Sequence, residues 1–100
     1  MRLWRLTSPA AADLFDIWCF VAKDNAEAAD KLQEAIVSSC DLLSAAPFAG
    51  VTRPELTALP LRFWLVQPYA NYFIAYYPET KPIEIVRILH TARDLRAIFV

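Results

Sequence analysis

Hydrophobic and polar residues change their spacing several times along the chain, and each change marks a predicted element. Residues 2–7 alternate, with Trp4 and Leu6 on one side and Leu3 and Arg5 on the other. Because successive side chains of a strand point to opposite faces, this alternation predicts a short N-terminal strand.

Two helices are predicted next. Ser8 and Pro9 begin the first one, because serine caps free N–H groups and proline is tolerated at the first helical position. Its apolar stripe, spaced i, i+3, i+4 and i+7, consists of Leu14, Ile17, Trp18 and Val21. Asp24 and Glu27 have the spacing of a capping box, and Asn25 offers a second cap, so another helix begins here.

The second helix carries its own apolar face and a set of small residues. The inner face consists of Leu32, Ile36, Ser39 or Cys40, and Leu43. Ala28, Ala29 and Ala35 are small enough to let two helices approach closely. Because the link between the helices is short, they should form an antiparallel hairpin.

Three strands and a short tail follow an ordered loop at residues 51–60. The predicted strands are 61–67, 72–77 and 83–90. Their connections are short and rich in turn residues, so neighbouring strands should pair antiparallel. Leu95, Ile98 and Phe99 have helical spacing, which predicts a brief terminal helix or an extended arm.

The order of these elements predicts an α+β fold in a single domain of residues 1–100. The helical hairpin should pack on one face of a three-stranded antiparallel sheet, preceded by the N-terminal strand. A chain of this length supplies one core rather than two. The second face of the sheet is left for a partner.

Composition supports the expectation of a protein partner. Apolar residues make up 57% of the chain, above the ordinary share of about 45 to 50%. No window approaches the ~20 consecutive apolar residues that span a membrane, so we expect no membrane segment. The surplus either enlarges the core or lies on the surface, where it would mark a partner site.

Charge, cysteine positions and the N-terminal sequence limit the expected ligands and the expected cellular location. The net charge of −1 argues against nucleic-acid binding by bulk electrostatics, although residues 51–100 carry six basic and four acidic side chains. We therefore expect no sequence-specific nucleic-acid binding by the chain alone. Cys19 and Cys40 lie within helical patterns, which favours reduced, buried thiols and a cytoplasmic location. The first residues lack the apolar core of a signal peptide.

Few residues have the spacing that catalytic or metal chemistry needs. One histidine and two cysteines in separate elements predict no metal or other cofactor, and a single glycine cannot build a phosphate loop. Cys19 or Cys40 could pair with His90 as a nucleophile, but a core thiol is the favoured interpretation. Asp13 and Asp16 are interpreted as a pair on a solvated helix face.

Aromatic residues are concentrated in the strands, where seven of the thirteen fall within residues 63–77. With Arg62, Arg87 and Arg93 nearby, they could stack bases and hold phosphates. The favoured alternative is that they form core on one side of the sheet and contact a partner on the other.

Several segments resemble a known family in their order and spacing. These are "SPAAADLFDIW", "AAPFAG", "LRFWLV", "YFIAYY" and "IEIVRILHTARDL". Together they are similar to the ParE branch of the RelE/ParE toxin superfamily, and the run Arg87 to Asp94 is the most specific part. The resemblance implies a RelE/ParE-like fold and a bacterial type II toxin of the plasmid stabilisation kind. A ParD-like antitoxin would neutralise it by wrapping its C-terminal segment around the toxin in a hetero-oligomer.

The superfamily contains two mechanisms, and the resemblance favours one. RelE-like members cleave messenger RNA on the ribosome with basic and aromatic side chains, and their middle strand resembles Tyr-Arg-Leu-Val-Tyr. Here Phe73 stands in the place of that arginine, which removes charge that would stabilise the scissile phosphate. ParE-like members inhibit DNA gyrase by protein contact, so a non-enzymatic gyrase inhibitor is expected. Two alternatives stay open: an endonuclease using His90 and Arg93, and a non-enzymatic binding module.

The segment "EIVRILHTARDL" supplies most of the predicted site. Strict alternation places Arg87 and His90 on opposite faces of the last strand, Arg87 with Ile85 and Leu89, and His90 with Val86 and Ile88. Arg87 should meet an acidic group, with Glu84, Asp94 or an antitoxin carboxylate as candidates. The predicted partner-binding residues are Arg62, Trp64, Tyr72, Arg87, His90, Arg93 and Asp94.

Overall fold

A computed structural model describes residues 3–99 and contains the predicted elements in the predicted order. They are β1 (Trp4–Leu6), α1 (Ser8–Ala22), α2 (Ala26–Ala45), β2 (Arg62–Leu65), β3 (Tyr72–Tyr77), β4 (Ile83–His90) and α3 (Leu95–Ile98). The α+β architecture is thus confirmed. Arg2, which the predicted first strand included, lies outside the described residues.

The sheet has four strands, in the order β1-β4-β3-β2. The strands β2, β3 and β4 pair antiparallel as predicted, but β1 joins them and runs parallel to β4, with Trp4 opposite Ile83. The expected three-stranded sheet is therefore a mixed sheet of four strands. β1 pairs the edge of β4 that would otherwise expose free backbone groups.

Both long helices begin at side-chain caps. The Thr7 side chain caps α1 by accepting a hydrogen bond from the Ala10 N–H at 3.3 Å, so the cap lies one residue before the predicted Ser8. Asn25 caps α2 by accepting from the Ala28 N–H at 3.1 Å, and it takes the role predicted for Asp24. In each case the oxygen satisfies a donor that has no partner within its helix.

The helical hairpin covers one face of the sheet. The predicted inner face of α2 is buried, and Leu14, Ile17 and Val21 of α1 pack against the same cluster. The other buried members of this helix-side cluster come mainly from the sheet and include Trp4, Val66, Ile74, Tyr76, Ile83, Ile85 and Ile88.

A smaller cluster lies on the outer face of the sheet. Phe63, Phe73 and Phe99 form its centre, with the rings of Phe63 and Phe99 perpendicular and their centroids 5.3 Å apart. Phe99 follows α3, and Leu95 and Ile98 pack partly buried beside it. The terminal segment is thus a short helix that covers this outer-face cluster.

A bulge interrupts the pairing of β3 with β4. Tyr76 lies opposite Ile85 and Ala75 lies opposite Arg87, so Val86 is an extra residue on β4. Because of this extra residue, the side chains after the bulge lie on the face opposite to the one that strict alternation predicts. Ile88 therefore joins Ile85 in the helix-side cluster. The predicted strict alternation is therefore wrong across the bulge, although Arg87 and His90 still lie at positions of opposite parity.

The only glycine of the chain, Gly50, allows a close approach between the loop after α2 and β3. A Cβ atom there would lie 2.6 Å from the Tyr76 hydroxyl and 3.0 Å from the Phe63 carbonyl oxygen. The Gly50 N–H instead donates to the Tyr76 hydroxyl at 2.9 Å, and that hydroxyl donates to the Pro47 carbonyl at 2.7 Å. Absence of a side chain, rather than an unusual backbone angle, is what this position requires.

No helix in the described part of the chain is long and apolar enough to cross a membrane. Cys40 is buried, whereas Cys19 is partly exposed, and neither forms a disulfide.

Candidate functional site

Arg87 is held by Asp13 of α1. Its Nε donates to one carboxylate oxygen at 2.7 Å and its Nη2 donates to the other at 2.9 Å. This two-pronged geometry is the strong form of an arginine–carboxylate pair. The two partners predicted for Arg87 within the chain, Glu84 and Asp94, were wrong. Glu84 pairs with Arg5, and Asp94 makes no bond to Arg87.

The same aspartate completes the edge of β4 where β1 stops. Beyond Leu6, the Thr7 N–H donates to the Ile85 carbonyl and the Thr7 hydroxyl donates to the Val86 carbonyl, each at 3.0 Å. The Ile88 N–H then donates to an Asp13 oxygen at 3.0 Å. Thr7 and Asp13 thus supply the hydrogen bonds that a neighbouring strand would otherwise make. The buried backbone groups at this edge of β4 need such partners.

Asp13 and Asp16 therefore do not form a solvated pair. The Asp13 side chain is 12% exposed and that of Arg87 is 26% exposed, whereas Asp16 lies exposed on the surface. The hydrogen bonds to Asp13 raise the pKa of Arg87 above its usual value, against the opposing effect of burial. Asp13 was predicted to be a surface residue because its position off the apolar stripe gave no sign of a cation three strands later in the chain.

His90 ends β4 in a defined orientation. Its Nδ1 accepts a hydrogen bond from the Ala92 N–H at 3.0 Å, so the neutral ring carries its proton on Nε2. Nε2 lies 3.5 Å from the side-chain amide of Asn71. The ring also meets Tyr72 edge to face, with centroids 5.1 Å apart. The Ala92 hydrogen bond and the Tyr72 ring contact orient the imidazole at the end of β4.

An open groove of about 520 Å³ lies between α1 and the end of β4. We call it the α1–β4 groove, and its lining includes Asp16, Ile17, Phe20, Tyr72, His90 and Arg93. Arg93 reaches the groove from the turn after β4. The backbone N–H of Arg93 donates to the His90 carbonyl at 3.1 Å. Among the described residues, Arg93 forms no salt bridge. Asp94 follows it as the exposed residue before α3.

Two predicted site residues lie elsewhere, on β2. Arg62 donates to the Gly50 carbonyl at 2.7 Å and to the Phe48 carbonyl at 3.3 Å, and its guanidinium lies over the Phe48 ring. Trp64 packs partly buried against the helix-side cluster, and its Nε1 has no hydrogen-bond partner in the described part of the structure. The structure brings together Tyr72, His90 and Arg93 in the groove. Arg62 and Trp64 of β2 do not line it.

The groove also contains a residue that the sequence interpretation missed. Phe20 lines it with 70% of its surface exposed. The signal was available, because Asp13, Asp16, Ile17 and Phe20 are spaced i, i+3, i+4 and i+7 along α1. That mixed stripe lies beside the apolar one and was not recognised as a functional face.

The chemistry available in the groove is limited. His90 can exchange a proton and Arg93 can bind an anion, but neither cysteine lines the groove. Over residues 3–99, no cluster of three histidine, cysteine, aspartate or glutamate side chains is placed to hold a metal ion. The arrangement is suited to binding an apolar group flanked by charges.

Comparisons with known proteins agree with the resemblance seen in the sequence. A family model described as the ParE toxin of the type II toxin-antitoxin system parDE matches residues 4–95. The chain belongs to the ParE toxin family.

A solved structure gives the same result for this ParE-family toxin. A chain from the chromosomal ParDE TA system of P. aeruginosa is 27% identical, with a TM-score of 0.69. The match covers 87% of this toxin and 92% of that chain. A search of curated proteins finds no significant match.

Proposed function

We propose that this type II toxin inhibits DNA gyrase by direct protein contact and that a ParD-like antitoxin neutralises it in the cytoplasm. The family supports an antitoxin of this kind, since the similar chain belongs to a ParDE system. The toxin and antitoxin would form a hetero-oligomer.

The observation that carries the gyrase proposal is the internal use of the sheet arginines. Arg87 is bound at both prongs by Asp13, and Arg62 is bound by two backbone carbonyls. Cleavage of RNA needs cationic groups preorganised around the scissile phosphate. Because these two guanidinium groups are already satisfied, inhibition by surface contact is the better-supported mechanism.

The contact residues are proposed on the same grounds. Tyr72, His90 and Arg93 line the α1–β4 groove, and Asp94 follows Arg93 as an exposed residue, so a partner can reach all four. The roles predicted for Arg62, Trp64 and Arg87 stay predictions, and two of these residues also bind within the chain.

One observation favours the endonuclease alternative. His90 and Arg93 line the same groove, so a proton-transferring group and an anion-binding group are close together. Tyr72 offers an aromatic surface beside them.

Gyrase assays test the proposal directly. Purified toxin is added to gyrase in a DNA supercoiling assay and in a cleavage-complex assay. We expect loss of supercoiling at micromolar toxin or below, relieved by prior addition of the antitoxin. No effect on either reaction at micromolar excess contradicts gyrase inhibition.

The same preparation is added to translating ribosomes to test the alternative. Intact message is expected. New cut sites that disappear in Arg93→Ala would instead assign the endonuclease function, with His90→Ala as a second check on proton transfer.

A further inference from the structure

We propose that His90 is a pH-sensitive switch that orders the turn after β4 while its ring is neutral and releases that turn when the ring gains a proton. We call residues 91–94, between β4 and α3, the β4–α3 turn. The inference concerns the toxin chain alone. It goes beyond the proposed function and does not rest on it.

The hydrogen bond between His90 and Ala92 can exist in only one protonation state of the ring. The Ala92 N–H donates to Nδ1 at 3.0 Å, which requires a free lone pair on that nitrogen. A protonated imidazole carries hydrogen on both nitrogens and accepts no hydrogen bond. Nε2 carries a proton in both states, so the nearby Asn71 amide does not distinguish them. Protonation at Nδ1 therefore removes the bond to the turn.

The β4–α3 turn is weakly held at its far end. Two further hydrogen bonds lie at its β4 end, from the Thr91 N–H to the Asn71 carbonyl at 2.9 Å and from the Arg93 N–H to the His90 carbonyl at 3.1 Å. Beyond the turn, α3 packs mainly through apolar contacts. Loss of the Ala92 bond therefore loosens the part of the turn that positions Arg93 in the α1–β4 groove.

The charged and titratable groups around the ring come from α1, β3 and the turn itself. Tyr72 of β3 meets the ring edge to face and offers a neutral phenol. Asp13 and Asp16 of α1 line the same groove, but Asp13 is already paired within the chain. Arg93 also lines the groove, and the exposed Asp94 follows it. An imidazolium repels Arg93 and attracts the two free carboxylates, so these effects partly cancel. The lost Ala92 bond is the change that the proton imposes.

The pH range of the switch follows from the chemistry of the side chains. Histidine ordinarily changes charge between about pH 5 and 8, and His90 is the only histidine of the chain. Carboxyl groups ordinarily titrate near about pH 4. The hydrogen bond from Arg53 lowers the pKa of Glu55, the carboxylate that attracts Arg96 of α3. That attraction therefore persists across the histidine range. The Ala92 bond should be present above this range and lost below it.

NMR spectroscopy of the full-length toxin between about pH 5.5 and about pH 7.5 tests the switch. Ring nitrogen spectra should show a proton on Nε2 alone at the higher pH and on both nitrogens at the lower pH. Solvent exchange of the Ala92 amide is measured at each pH and divided by its intrinsic rate. Its protection should fall about three- to tenfold on acidification, as expected for loss of one neutral hydrogen bond. The Ile88 amide, bound to Asp13, should keep its protection.

Two variants separate loss of the acceptor from gain of charge. His90→Asn places an amide oxygen near the position of Nδ1 and takes up no proton in this range. The protection of the Ala92 amide should therefore be the same at both pH values. His90→Phe has no acceptor, so protection should be low at both. Thermal melts establish that each variant is folded.

A pH-independent Ala92 amide in the wild-type toxin overturns the switch. So does a pH dependence that persists in His90→Asn, because it must then originate at another group. Since the toxin alone is measured, neither outcome bears on gyrase inhibition or on neutralisation by an antitoxin.

Discussion

The two faces of the sheet are covered in different ways. Two helices of 15 and 20 residues cover one face, and polar bonds attach them to the sheet, including Asp13 with Arg87 and Thr7 with Val86. The other face is covered by the four-residue helix α3 and Phe99. Among the described residues, no hydrogen bond or salt bridge joins residues 94–99 to the rest of the chain.

This difference indicates how stability is distributed. Apolar contacts and a weak attraction between Arg96 and Glu55 hold α3, so its removal breaks few interactions, whereas removal of α1 leaves a partly buried guanidinium and a strand edge unpaired. Segments with few buried contacts open at lower free energy than the core. We expect the helix-covered face to unfold with the whole protein and the outer face to open separately.

The largest effect is expected from Asp13→Ala, which tests the polar attachment of α1. The change leaves Arg87 without its carboxylate and the Ile88 N–H without its acceptor. Loss of one partner of a buried ion pair costs about 3–5 kcal/mol, and the partial exposure of Arg87 reduces this to about 2–4 kcal/mol. Urea denaturation measures the change in the free energy of unfolding.

Asp16→Ala is the matched control on the same helix, because Asp16 is exposed and forms no salt bridge in the described structure. It should change the unfolding free energy by less than about 0.5 kcal/mol. Equal stability of the two variants would show that Asp13 does not attach α1 to β4.

Gly50→Ala should have the next largest effect, and it tests the loop beside the helix-covered face. The new methyl group meets the Tyr76 hydroxyl and the Phe63 carbonyl, so the loop or the ring must move. Overpacking of this kind costs about 1–3 kcal/mol, measured again by urea denaturation.

A double-mutant cycle with Tyr76→Phe identifies the cause. Removing the hydroxyl relieves the 2.6 Å contact, although the 2.9 Å contact with ring carbon Cε1 stays. Gly50→Ala should therefore cost less in the Tyr76→Phe background than in wild type. Strict additivity would mean that the hydroxyl is not the obstructing group.

Phe99→Ala tests the outer face. Burial of an aromatic side chain in a core is worth about 3–5 kcal/mol on truncation to alanine. Because α3 is attached by few interactions, it can detach without global unfolding, and we expect only about 1–2 kcal/mol here. Hydrogen exchange should become fast in α3 while the amides of β4 stay protected.

Comparable loss of protection in α3 and in α1 would contradict the separation of the two faces. Ala97→Ser is a control in α3, because Ala97 is exposed. It should leave the exchange of the segment close to that of wild type.

The smallest effect concerns alkaline pH. Burial raises the pKa of Tyr76 above 10.0, and the Gly50 N–H only partly opposes this shift. The folded state therefore retains the phenolic proton longer than the unfolded state. The resulting stabilisation is complete below the unfolded-state pKa of 10.0 and is lost as pH rises through the higher folded-state pKa.

Tyr76→Phe should accordingly reduce the fall in stability above pH 10. Denaturation curves at several alkaline pH values, compared with Tyr77→Phe, measure the difference. Identical pH profiles for wild type and Tyr76→Phe would contradict a buried, protonated phenol.

Most of the fold could be predicted from local patterns. The apolar spacing of α2 placed its buried face correctly, and the turn-rich connections gave the antiparallel pairing of β2, β3 and β4. The parallel pairing of β1 with β4 was not predicted. It joins residues almost eighty positions apart, and no local signal records which free edge a short strand will choose.

The site was predictable in part. Tyr72, His90 and Arg93 were named from the sequence and are brought together in the groove. The role of Asp13 was missed because its partner depends on the docking of α1 across β4. The bulge at Val86 was also missed, since a one-residue shift in pairing leaves the strand pattern of β4 almost unchanged.

The sequence by itself determined the order of the elements, the apolar face of α2 and the membership in the ParE family, because these depend on neighbouring residues and on short motifs. Only the tertiary structure decided that Asp13 satisfies Arg87 and that Phe20 lies beside Arg93. Both depend on how a helix crosses a distant strand. The partners and neighbours of these side chains are therefore set by packing between distant segments, and no local pattern specifies them.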